Sequence, residues 1–74
     1  MHNRFFCPPE NISDKGITIN DKKEIHHIAD VLRLGPESKV VIFDGEGAEF
    51  EGTIKAISKD NIKIGIDKKY QGKN

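Results

Sequence analysis

Apolar residues follow a helical spacing in one part of this chain and a strand spacing in most of the rest. Between Asp21 and Leu34 they recur at i, i+3, i+4 and i+7, at Ile25, Ile28, Ala29 and Leu32. Because a helix turns by about 100° per residue, this spacing puts them on one stripe of an amphipathic helix. The pattern therefore predicts a helix from Asp21 to Leu34 that buries one face.

Both ends of this helix carry residues that helix termini favour. Asp21 and Glu24 form an Asp-x-x-Glu start that resembles a capping box, in which each side chain bonds an otherwise unpaired backbone N–H. Arg33 is expected in the last turn, where a cation interacts favourably with the helix dipole. Gly35-Pro36 is expected to end the helix.

Outside the helix the sequence predicts strands and tight turns. The segments that alternate or are rich in β-branched residues are 17–19, 39–44, 48–56 and 62–67. Gly45-Glu46-Gly47 supplies the positive-φ residues of a turn, with Asp44 as a turn residue that bonds local backbone N–H groups. Lys59-Asp60-Asn61 predicts a second turn.

The longest alternating segment has an apolar and a polar face. Its apolar face contains Ala48, Phe50, Gly52, Ile54 and Ala56, and its polar face contains Glu49, Glu51, Thr53 and Lys55. Ile57 breaks the alternation, which predicts a bulge or the strand end at that point. The polar face is expected in solvent, so Glu49 and Glu51 do not predict the paired carboxylates of a glycosidase.

These elements together predict a mainly β fold. Three consecutive strands joined by tight turns make a meander, and one helix can cover its open end. We therefore expect a small, partly closed β-barrel with one amphipathic helix, over residues 1–67. Residues 68–74 show no periodicity and predict a linker.

Composition narrows the class of protein. The 74 residues carry zero formal net charge, so the overall field predicts neither nucleic-acid nor membrane binding. Residues 1–47 have six Lys or Arg against eight Asp or Glu, and residues 48–74 have six against four, a mild asymmetry of −2 and +2. Cys7 is the single cysteine of the sequence, so no internal disulfide is expected. The sequence shows neither the apolar run of a signal peptide nor that of a transmembrane helix, and we therefore expect a cytoplasmic protein.

Few residues indicate a metal-binding, phosphate-binding or catalytic role. His26 and His27 are adjacent on the helix and point about 100° apart, unlike the i, i+4 ligands of zinc helices. Gly45-Glu46-Gly47 lacks the following helix and the Gly-Lys-Ser/Thr ending of a phosphate-binding loop. Of Phe5 and Phe6, one ring is expected in the core and the other at its boundary. The sequence predicts no metal site and no free-standing enzyme.

A basic ridge is the feature closest to a binding site. Lys22, His26 and Arg33 lie within about 40° of one another on the helical wheel, on one flank of the apolar stripe. Such a ridge can follow phosphate groups. Asp30 lies beside it and weakens its field, so these residues alone favour a solvated helix face over a binding ridge.

The order of these motifs resembles the RsmE family, 16S ribosomal RNA methyltransferases that methylate N3 of a uridine in the small ribosomal subunit. The family pattern is an N-terminal Arg-Phe strand, a helix with His-Ile leading to Val-Leu-Arg, and a strand ending in Phe-Asp-Gly. The residues that match it in order are Arg4, His27, Val31-Leu32-Arg33 and Asp44-Gly45. The resemblance covers about residues 3–67.

The resemblance implies a PUA-like barrel that docks a methyltransferase on 16S ribosomal RNA. It also implies a C-terminal domain of the knotted SPOUT class that binds S-adenosylmethionine, carries the catalytic residues and forms a homodimer. No positions of this chain match that domain, so catalytic and cofactor residues are not carried over and the fragment is expected to be non-catalytic. Arg4, His27 and Arg33 are carried over as RNA contacts, and Lys22 and His26 are added from the helical wheel.

One departure from the family leaves two alternatives open. Many relatives have a basic residue at the position of Asp30, just before Val-Leu-Arg. Its replacement by a carboxylate weakens the basic face and points to the lysines of the last hairpin as another RNA surface. Zero net charge and Asp30 also fit a second function, a scaffolding module that packs on the catalytic domain and contacts RNA little.

Overall fold

Strands dominate the part of the chain that the structure, a computed structural model, describes, which is residues 3–71. They are β1 (Asn3–Phe6), β2 (Ile12–Ser13), β3 (Gly16–Ile19), β4 (Lys39–Phe43), β5 (Ala48–Ile57) and β6 (Ile62–Gln71). A 3-10 turn spans Pro9–Asn11, and helix α1 (Lys22–His26) continues as a π-helical segment over His27–Val31. In this range no helix is long and apolar enough to cross a membrane.

The strands form one curved sheet in the order β1-β4-β5-β6-β3-β2. β1 runs parallel to β4, and the other neighbouring pairs are antiparallel. The β4-β5-β6 meander is present as predicted, and the helix lies between β3 and β4 in the chain. The expected mainly β, partly closed barrel with one helix is therefore confirmed.

The core consists of side chains that alternate inward along the strands. Its fully or nearly fully buried members include Ile17, Ile19, Ile42, Ile54, Ile62 and Ile64. Phe5 is buried, whereas Phe6 is 45% exposed and contacts Phe43 with ring centroids 5.8 Å apart. The expectation of one core and one boundary phenylalanine is confirmed.

The β4–β5 turn also forms as predicted. Gly45 and Gly47 adopt positive φ angles of 77° and 103°. The Asp44 carboxylate accepts hydrogen bonds from the backbone N–H groups of Glu46 (2.7 Å) and Ala48 (3.1 Å). These side-chain hydrogen bonds are local, because both partners of Asp44 lie within four residues of it.

The helix begins where the sequence predicts, with a simpler cap. The Asp21 carboxylate accepts a hydrogen bond from the Lys23 backbone N–H at 3.0 Å. The reciprocal half of the predicted capping box is wrong, since Glu24 Oε1 is buried with no hydrogen-bond partner among residues 3–71. Ile25 and Ile28 lie on the buried stripe as expected.

The helix ends earlier than predicted. Its α-helical part ends at His26 and its π-helical part at Val31, before the predicted end at Leu34, and the backbone N–H of Leu32 bonds the carbonyl of His27, five residues back. Arg33 then adopts a left-handed conformation with φ of 57°, and the Leu34 N–H bonds the Ile28 carbonyl at 3.0 Å. The prediction that Arg33 lies in the last turn is wrong, because the widened turn closes the helix before the Gly35-Pro36 pair.

Two bulges shift the alternation of β5 and β6. Lys55 is the extra residue where the pairing moves from Ile54–Ile64 to Ala56–Lys63. Consequently Ala56 is exposed, against the prediction that it faces the core. The strand ends at Ile57, which is one of the two outcomes predicted for that residue.

The second bulge lengthens β6. Asp67 is the extra residue between Ile66, which pairs with Gly52, and Lys68, which pairs with Glu51. Pairing then continues to Gln71, so residues 68–71, predicted as the start of a linker, belong to the strand. The other predicted linker residues, 72–74, lie outside the described range.

Cys7 is predicted to be a slowly reacting thiol in the folded state. It is 1% exposed, and burial, followed by the charges of Glu10 and Glu24, raises the pKa of its thiol to about 11. Because the thiolate is the reactive form, alkylation by iodoacetamide at pH 8 should be at least about 100-fold slower than in denatured protein. The linked stability is present below about pH 9 and is lost as pH rises toward 11. Equal alkylation rates with and without denaturant would contradict this burial.

Candidate nucleic-acid interface

Two members of the predicted basic ridge lie together. Lys22 and His26 line one cleft of about 480 Å³ beside the β5–β6 turn, and Lys59 lines it as well. The helix supplies the first two because they are one turn apart, as the helical wheel predicts. Lys59 is a cation that the sequence placed in a turn without assigning it to this surface.

Carboxylates partly offset the charge of this cleft. His26 Nδ1 lies 2.9 Å from an Asp30 carboxylate oxygen, and Lys22 Nζ lies 4.0 Å from an Asp60 oxygen. All four side chains are largely exposed, so these pairs contribute little to stability. They do reduce the local positive potential, as the position of Asp30 in the sequence suggested.

Arg33 does not line the cleft that contains Lys22 and His26. Its left-handed conformation at the helix end invalidates the wheel position that grouped it with Lys22 and His26. The side chain is exposed and forms no hydrogen bond or ion pair with the residues that the structure describes. Arg33 therefore presents a guanidinium group with all its donors available to a ligand.

Arg4, in contrast, is already engaged on the surface of β1. Its guanidinium donates two hydrogen bonds to the Glu49 carboxylate, at 2.8 and 3.3 Å, and lies 5.4 Å from the centroid of the Phe43 ring. The hydrogen bond and the charge of Glu49 raise the pKa of Arg4. A phosphate group at Arg4 would have to compete with a bidentate carboxylate.

His27 packs against the barrel. Its ring meets the Phe5 ring edge to face, with centroids 5.9 Å apart. This contact joins the helix to β1. Within residues 3–71, no group of three or more His, Cys, Asp or Glu side chains is arranged to hold a metal ion.

The family of the chain follows from comparison with known proteins. A family model described as "RNA methyltransferase PUA domain" matches residues 19–67, which include the helix and the meander. The chain belongs to this family of PUA domains. A search of the curated proteins finds no match.

Solved structures share the fold of this PUA domain. A predicted RNA methyltransferase from Thermotoga maritima superposes with a TM-score of 0.81 at 21% identity, covering 97% of this chain and 32% of that one. A ribosomal RNA small subunit methyltransferase E from Neisseria gonorrhoeae, bound to S-adenosyl methionine, gives 0.70 at 27% identity, covering 100% and 30%. The predicted resemblance to the RsmE family is thereby confirmed. The PUA domain spans about a third of the length of these proteins.

One polar cluster of the PUA domain could not be predicted from sequence. Thr53, expected in solvent, is 4% exposed, and its hydroxyl donates to the Asp67 carboxylate at 2.7 Å. Lys39 Nζ donates to the Thr53 hydroxyl at 2.8 Å and to Asp67 at 3.4 Å. The Thr53 hydrogen bond, and then Lys39, lower the pKa of Asp67. The bulge at Asp67 brings these side chains together.

Proposed function

We propose that this chain is the RNA-docking domain of an S-adenosylmethionine-dependent methyltransferase that methylates N3 of a uridine in 16S ribosomal RNA. In this proposal a C-terminal SPOUT domain binds the cofactor and catalyses the reaction as a cytoplasmic homodimer, and the barrel supplies contacts to the small ribosomal subunit. The match to the PUA domain of RNA methyltransferases supports the parentage. Support for the docking role comes from the residues of the barrel, as follows from Arg33.

The observation that carries the docking role is the exposed guanidinium of Arg33. A residue with a Cβ atom is disfavoured at positive φ by about 1 kcal/mol, so glycine or asparagine would suit this helix end better. Within residues 3–71 the Arg33 side chain makes no bond that offsets this cost. The helix end requires this backbone conformation but does not require an arginine, and a residue less suited to its position than glycine is the kind of feature that binding sites retain.

Replacing Arg33 should separate stability from RNA binding. Arg33→Gly removes both the guanidinium and the disfavoured Cβ, so we expect the free energy of unfolding to stay constant or rise by up to about 1 kcal/mol. The same variant should bind a small-subunit ribosomal RNA fragment more weakly, with a salt slope smaller by about 1. Fluorescence anisotropy over a series of salt concentrations measures the slope, and thermal unfolding measures the stability.

Arg33→Lys is the matched control, because it keeps the charge and loses the bidentate geometry. We expect it to retain most of the salt slope and part of the affinity. If Arg33→Gly binds RNA as tightly as the wild type with an unchanged slope, Arg33 makes no phosphate contact and the docking role loses its main support.

A scaffolding function is the second candidate, favoured by the acidic partners of Arg4, Lys22 and His26. Deleting the barrel from the full-length enzyme distinguishes the two functions. Docking predicts a higher KM for RNA with an intact fold and dimer. Scaffolding predicts that the remaining domain misfolds or dissociates.

A further inference from the structure

The outer face of β3, β5 and β6 carries a second group of cations. A cleft of about 240 Å³ on this face is lined by Lys15, Lys55 and Lys63, with Gly16, Thr18 and Gly65 between them. No Asp or Glu side chain lines it. Among the described residues, none forms an ion pair with these three lysines.

Strand alternation places these side chains on one face. Thr18 pairs with Lys63 across β3 and β6, and both point away from the core because Ile17, Ile62 and Ile64 point into it. The bulge in β5 directs Lys55 to the same face, and Lys15 approaches from the β2–β3 turn. The arrangement therefore depends on three strands and a bulge, not on one charged segment.

Two glycines line the cleft at points of close packing. A Cβ atom on Gly65 would lie 2.8 Å from Lys55 Cε, so the stem of Lys55 lies across the space that a side chain would fill. A Cβ atom on Gly16 would lie 2.8 Å from the backbone oxygen of Ile64, and its φ of 148° also disfavours other residues. At both positions a larger residue would displace a neighbouring group, so these glycines fix how closely the Lys55 side chain and the strands pack beside the cleft.

The carboxylates close to these lysines in sequence or in charge interaction have other positions or other partners. Asp67 interacts with Lys55, and this interaction is the weakest of the causes that lower the pKa of Asp67. Its stronger partners are the Thr53 hydroxyl and Lys39, which lie outside the cleft. The Asp14 side chain, although next to Lys15 in sequence, lines a different cleft. The three lysines thus retain most of the positive electrostatic potential of the cleft.

We propose that this surface, the Lys15/Lys55/Lys63 cleft, is a phosphate-binding site that holds the backbone of RNA. The proposal rests on the RNA-docking function and deepens it by adding a contact surface separate from Arg33. Lysines contact phosphates as mobile point charges without reading base identity, so the cleft contributes affinity and orientation rather than sequence specificity. Free inorganic phosphate offers the same chemistry and is the second possible occupant.

The test compares two charge-matched double variants of the full chain. Lys55→Gln with Lys63→Gln removes two cations of the cleft, and Lys68→Gln with Lys69→Gln removes two exposed cations farther along β6. Affinity for a small-subunit ribosomal RNA fragment should fall on the order of tenfold in the first variant, with a salt slope smaller by about 1.5 to 2. The second variant should bind nearly as the wild type does.

Three results would overturn the proposal, and they differ in whether the RNA-docking function is retained. RNA binding that depends on Arg33 but not on Lys55 and Lys63 removes the cleft and keeps the docking function. Equal losses in both double variants indicate diffuse charge attraction. Inorganic phosphate that shifts the amide NMR signals of Gly16 and Gly65, while the wild type fails to bind RNA at low salt, removes the docking function and identifies a small-anion site.

Discussion

Gly52→Ala is expected to destabilise the barrel by about 3 kcal/mol or more. Gly52 is buried in the middle of β5, and a Cβ atom there would lie 2.6 Å from both the Gly65 backbone oxygen and Ile64 Cγ2. The oxygen belongs to the neighbouring strand, so β5 and β6 would have to separate beside the Asp67 bulge. The midpoint of urea unfolding measures the loss.

Gly35→Ala is the matched control for this substitution. Within residues 3–71, no heavy atom beyond Gly35 and its two chain neighbours lies within 4 Å of the Cβ position, so the added methyl group has space. We expect its free energy of unfolding to change by less than about 1 kcal/mol, with a small gain from the stiffer unfolded chain. Similar urea midpoints for the two alanine variants would show that the close approach at Gly52 does not constrain the sheet.

Ile28→Ala is expected to cost about 2–5 kcal/mol, a large part of the roughly 4–11 kcal/mol typical for a domain of this length. Ile28 is fully buried and lies in the π-helical segment, where its carbonyl also accepts the Leu34 N–H. Removing its side chain leaves a cavity between the helix and the barrel. The helix end that sets the conformation of Arg33 should therefore loosen.

Val31→Ala tests whether that loss reflects burial. Val31 lies in the same segment and is 59% exposed, so its truncation should change the free energy of unfolding by no more than about 0.5 kcal/mol. Amide hydrogen exchange at Leu34 should accelerate in Ile28→Ala and stay unchanged in Val31→Ala. Equal effects of the two truncations would contradict the packing of the helix.

The fold was largely predictable because its signals are local. The Asp21 cap, the apolar stripe through Ile25 and Ile28, and the Asp44 turn each involve residues within a few positions of one another. The isoleucine alternation along β6 also predicts which face is buried. The helix end at Arg33 was missed, because the π-helical turn depends on how Ile28 and Leu34 pack on the barrel.

The candidate site was less predictable, because bulges and strand pairing decide it. The buried Thr53 hydroxyl bonds Lys39 and Asp67, each 14 residues away in sequence. A single strand pattern cannot reveal a bulge at Lys55 or Asp67, since the extra residue is defined by the partner strand. The acidic partners of Arg4 and Lys22 are likewise distant in sequence.

Direct RNA docking is the central claim, and the salt dependence of wild-type binding tests it most directly. The 74-residue chain should bind a small-subunit ribosomal RNA fragment at low salt. The logarithm of its association constant should fall linearly with the logarithm of salt concentration, with a slope of about −3 or steeper. Such a slope corresponds to phosphate contacts from Arg33 and from the Lys15/Lys55/Lys63 cleft. No binding at low salt, or binding that does not change with salt, would contradict the claim.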